Sequence, residues 1–67
     1  MTTDELLREL QTSPTGLAGM IETVVRDRLP YVVIPAQAVQ AWKEEEPQRW
    51  AKAARWLAAH NVALVQV

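Results

Sequence analysis

Apolar residues recur at helical spacing over four stretches of this chain and gather into two short β-favouring runs between them, so the pattern predicts helices interleaved with strands. Thr2 with Glu5 three positions on has the capping-box pattern, and Leu6, Leu7 and Leu10 carry a first helix to about Gln11. Thr12 to Gly16 interrupts it. Ser13 as a cap with Pro14 at the first helical position predicts a second helix, and Leu17, Met20, Ile21, Val24 and Val25 form its apolar stripe. Leu29-Pro30 ends that helix, because a residue before proline is pushed out of helical geometry.

Tyr31-Val32-Val33-Ile34, held between Pro30 and Pro35, reads as a short strand. Pro35 then opens a third helix from Ala36 to about Glu45, with Val39 and Trp42 on one side. Glu46-Pro47 breaks the pattern and restarts it as a fourth helix, Pro47 to His60, whose expected core face is Trp50, Ala53, Ala54 and Leu57. The Glu44-Glu45-Glu46 run lies at the positive end of that helix and serves as a start signal. Asn61 suits a left-handed cap, and Val62 to Val67 reads as a closing strand. Its two faces, Val62, Leu64 and Gln66 against Ala63, Val65 and Val67, are both largely apolar, which predicts cover on both sides. The expected fold is one small α+β domain spanning residues 1–67, about four helices and two short strands in the order α-α-β-α-α-β. A crossover through two helices permits the strands to pair in parallel if they pair within one chain.

Composition changes this picture mainly by exclusion. A chain of 67 residues buries only roughly 60% of its unfolded surface, so its core is marginal. There is no cysteine for disulfides, and His60 is the single histidine where a structural zinc needs about four Cys or His ligands. Self-association is the remaining support, and two strands make too little sheet to stand alone, so a homodimer is expected. Seven Lys and Arg against eight Asp and Glu leave a net charge of −1, without a general pull towards nucleic acid or anionic membrane. No apolar run reaches the roughly 20 residues that cross a bilayer, and the polar, acidic start does not read as a signal peptide, so the expected setting is cytoplasmic.

Catalytic chemistry finds no footing. Ser13 reads as a helix cap, His60 as a C-terminal dipole partner able to bond the last carbonyls, and Asp4, Glu5 and Glu9 as a solvated acidic face. Gly16 and Gly19 lack the spacing of a phosphate loop, so no nucleotide, metal or other cofactor is expected. The fourth helix is the informative element, because Arg49, Lys52 and Arg55 share its polar side with Trp56. Trp56 lies about 120° from Trp50 around the helix and is expected to be half-exposed.

From Tyr31 to Val67 the order of strand, helix, tight break at Glu45-Glu46-Pro47, longer helix and strand resembles a winged helix-turn-helix domain. That resemblance implies a DNA-binding or transcription-associated role, with Gln48, Arg49, Lys52 and Arg55 on the helix that meets DNA. The alternative is a protein-protein interaction module or dimeric adaptor, in which Trp42, Trp56, Leu64 and Val65 form a surface for a second copy or another protein.

Overall fold

The computed structural model describes residues 2–12 and 16–67. Its elements follow the order α1 (Thr3–Leu10), α2 (Leu17–Asp27), β1 (Tyr31–Ile34), α3 (Ala36–Glu45), α4 (Pro47–Ala59) and β2 (Ala63–Gln66). The Thr2 cap forms as expected, with the Glu5 amide donating to Thr2 Oγ1 over 3.2 Å, and the helix turns Leu6 and Leu10 into the core. The predicted Ser13 cap and Pro14 start lie outside the described residues. α2 begins at Leu17 after Gly16, whose φ of 81° is open to glycine and strained for other residues. It stops at Asp27, two residues ahead of Leu29, because Arg28 adopts a left-handed φ of 51° and returns its amide to the Val24 carbonyl.

Glu46 alone separates α3 from α4. Its amide donates to the Trp42 carbonyl and its own carbonyl accepts from Trp50, both over 2.8 Å, so one residue closes the first helix and opens the second. At the far end of α4 the Asn61 amide reaches Ala58 O (3.2 Å) and the Val62 amide reaches Leu57 O (2.9 Å), with Asn61 at φ 56°. This is a Schellman closure, and it aims the chain straight into β2.

The two strands pair in parallel, Tyr31 opposite Ala63, Val32 opposite Leu64, Val33 opposite Val65 and Ile34 opposite Gln66. Bonds at both ends of the ladder extend it: Ala63 N–H to Pro30 O, Val67 N–H to Ile34 O and Ala36 N–H to Val67 O, at 3.1, 3.1 and 2.9 Å. Val32, half-buried Ile34 and half-buried Leu64 face the helices and join a core built from Leu6, Leu10, Leu17, Ile21, Val39 and Leu57. No helix among the described residues is long and apolar enough to cross a membrane.

One face was misplaced by periodicity. The buried residues of α4 are Ala53, Trp56 and Leu57, whereas Trp50 stays half-buried and stacks on Trp42 at 5.6 Å. Trp56 is 8% exposed and Trp42 5%, so neither forms the aromatic surface expected of them. The cause is α1, which packs on α4 from a second direction and widens its buried arc; the Trp56 indole N–H donates to Thr3 Oγ1 over 3.0 Å. Replacing Trp56 by Ala is therefore expected to cost about 3–5 kcal/mol in urea unfolding followed by circular dichroism. A loss below ~0.5 kcal/mol would return the ring to the surface.

Candidate interaction surface

The basic set predicted on α4 is divided by the fold. Gln48 and Arg55 are exposed, while Arg49 and Lys52 are half-buried and engaged within the chain. Arg49 donates through Nη1 to Glu46 Oε1 over 3.1 Å and through Nη2 to Thr12 Oγ1 over 2.8 Å, and its Nε is buried without a partner. Lys52 Nζ is ion-paired with Glu9 Oε1 of α1. Two of the four cationic or amide side chains assigned to DNA thus hold α1 and the following Thr12 against α4. The acidic run also acts locally, since Glu46 is 6% exposed beneath Arg49 and Glu44 accepts from Gln40 Nε2 over 2.9 Å.

His60 behaves as a helix-end residue. Its ring stacks on Trp56 with centroids 4.1 Å apart, and Nδ1 lies 2.8 Å from the Trp56 carbonyl, where a ring N–H donates to that oxygen. A shallow cavity of about 240 Å³ beside it is lined by Lys52, Arg55, Trp56, Ala59 and His60. No cluster of three or more His, Cys, Asp or Glu side chains among the described residues could hold a metal ion.

The sheet presents a different kind of surface. Paired residues of a parallel ladder project on the same side, so Tyr31, Val33, Ala63 and Val65 share the face turned away from the helices, and Val67 continues it. Tyr31 is 54% exposed, Val33 49%, Val65 41% and Val67 71%, which leaves only Val25 as a large exposed apolar residue elsewhere among the described residues. The face carries no charge. Of the predicted interface residues, Val65 lies on it and Leu64 points the other way into the core edge. Tyr31, Val33 and Val67 were missed, although apolar residues at both parities of each strand already signalled a two-sided apolar sheet.

Among the described residues neither outer edge of this two-stranded sheet has a strand partner. Amide and carbonyl of one residue point to the same side of a strand and alternate along it. The bonds through Pro30, Ile34, Ala63 and Val67 therefore turn Tyr31 and Val33 outward on β1, and Leu64 and Gln66 outward on β2.

Compared with protein-family models, curated proteins and solved structures, the chain matches none of them. The role of the basic residues of α4 has a direct check. A double-mutant cycle of Glu9→Gln and Lys52→Met should show a coupling of about 0.2–1 kcal/mol that shrinks as salt approaches ~1 M. Zero coupling at low salt would release Lys52 for an external ligand.

Proposed function

We propose that this chain is a non-catalytic protein-interaction module whose contact surface is the outer face and free edge of its β1–β2 sheet. The observation that carries this reading is the concentration of exposed Tyr31, Val33, Val65 and Val67 on one uncharged side of a two-stranded parallel sheet. Parallel sheets are ordinarily covered on both faces, and two strands are marginal in water unless something extends or covers them. Here the helices cover one face. A partner chain that extends the sheet or covers its outer face supplies what the fold leaves open.

The winged-helix reading draws on the element order and on Gln48 and Arg55, which remain exposed. It draws less on Arg49 and Lys52, which would have to surrender Glu46, Thr12 and Glu9 to reach phosphates. Glu44 and Glu45 stand exposed at the same helix start and repel a phosphate backbone. The sheet surface accordingly carries the conclusion.

Two paired variants separate these readings when association is followed by mass in solution and by binding to duplex DNA. Val33→Glu with Val65→Lys should abolish association while costing folding stability no more than about 1 kcal/mol, because the opposite charges face each other across the ladder. Gln48→Glu with Arg55→Glu should leave association intact. The opposite pattern, with DNA binding that depends on Arg55 and falls steeply with salt, would overturn the proposal. So would a wild-type chain that associates with nothing.

A further inference from the structure

The two edges of the sheet are not equivalent. The β1 edge is bounded by Pro30 and Pro35, and Pro35 occupies the next outward-facing position, where it offers no N–H to an added strand. The β2 edge offers the amides and carbonyls of Leu64 and Gln66, and residues 62–67 contain neither proline nor a charged side chain. It thus lacks the proline and charged side chains that often guard a sheet edge.

We infer that the strand received at this edge is β2 of a second copy, paired antiparallel about a two-fold axis through Val65. The inference rests on the interaction-module reading and adds the identity of the partner and the register. Leu64 and Gln66 are two residues apart, so a two-fold axis at Val65 sets Leu64 opposite Gln66 of the other copy, and Gln66 opposite its Leu64. In an antiparallel ladder each such couple exchanges both of its N–H···O=C bonds. Four bonds form, and every outward-facing backbone group of the two β2 strands is satisfied.

The side chains agree with this register. Val65 meets its own copy as a non-hydrogen-bonded pair on the outer face, and Val67 faces Ala63, so no like charges oppose one another. The result is a four-stranded sheet in the order β1-β2-β2-β1, within the usual size range, with one continuous apolar strip on its outer side. An isologous contact of this kind closes on itself and stops at two chains. A ladder from two four-residue strands falls short of the roughly 800 Å² per partner of a standard interface, so the dimer is weak and dissociates on dilution.

The sequence contains no cysteine, so a single introduced thiol can cross-link only between chains. At the two-fold axis the Val65 Cα atoms lie about 4.5 Å apart, inside the range a disulfide spans. Under mild oxidation V65C should form a covalent dimer at least about tenfold faster than V33C, a comparably exposed position on β1; that factor separates a held pair from random collision. In a mixture of isotope-labelled and unlabelled wild-type chains, magnetic resonance should detect contacts between Leu64 and Gln66 of different copies. Equal cross-linking of V65C and V33C without those contacts overturns the β2 register. If association still depends on Val33 and Val65, the interaction surface stands without this register; if the wild-type chain stays at its monomer mass throughout, both fall.

Discussion

The pairing of β1 with β2 is the constraint from which the rest of the arrangement follows. Parallel strands cannot be joined by a tight turn and need a crossover of a dozen residues or more. Residues 35–62 supply one as two helices hinged on Glu46, and the Schellman closure at His60, Asn61 and Val62 delivers the chain back beside β1 in register. Since α3 and α4 leave from and return to the same two strands, their apolar sides and the inward-facing Val32, Ile34 and Leu64 meet in one core. α1 and α2 complete that core, with α1 packed on α4 and on α2. Among the described residues this core lies on one side of the sheet, and Tyr31, Val33, Val65 and Val67 on its other side stay exposed.

The charged residues fit the same account. Lys52 with Glu9, and Arg49 with Glu46 and Thr12, lie where α1 and the residue turn after it meet α4. The half-exposed Lys52–Glu9 pair contributes little, typically below about 1 kcal/mol, and with the Arg49–Thr12 bond it ties α4 to a short helix whose buried residues are Leu6 and Leu10. Two of the three basic residues of α4 are in this sense internal, while Arg55 stays exposed.

Local signals were read well from the sequence. The Thr2 cap, the strand between Pro30 and Pro35, the break at Glu46-Pro47 and the left-handed Asn61 all depend on residues within a few positions of one another, and each appears where its neighbours dictate. The parallel pairing was permitted by the crossover length but not fixed by it. The errors lie where distant segments meet. Periodicity assigned the core face of α4 to Trp50 and left Trp56 half-exposed, because the packing of α1, more than forty residues earlier, is invisible to a local window. Lys52 looked available for phosphates for the same reason, since its partner Glu9 is equally remote; Arg49 has the distant Thr12 as one partner, while its other, Glu46, lies only three residues away. The outer sheet face was half-legible: apolar residues at both parities of β2 predict cover on both sides, whereas the described residues cover only the side that Leu64 faces, and which residues stay exposed follows from the register with β1.

Amide hydrogen exchange at the β2 edge, measured across a wide range of protein concentration, tests most directly whether another chain completes this sheet. Completion predicts that the amides of Leu64 and Gln66 exchange rapidly in dilute solution and become protected as concentration rises, while those of Ala63 and Val65, bonded to β1, stay protected throughout. Rapid exchange of Leu64 and Gln66 at every concentration would contradict it.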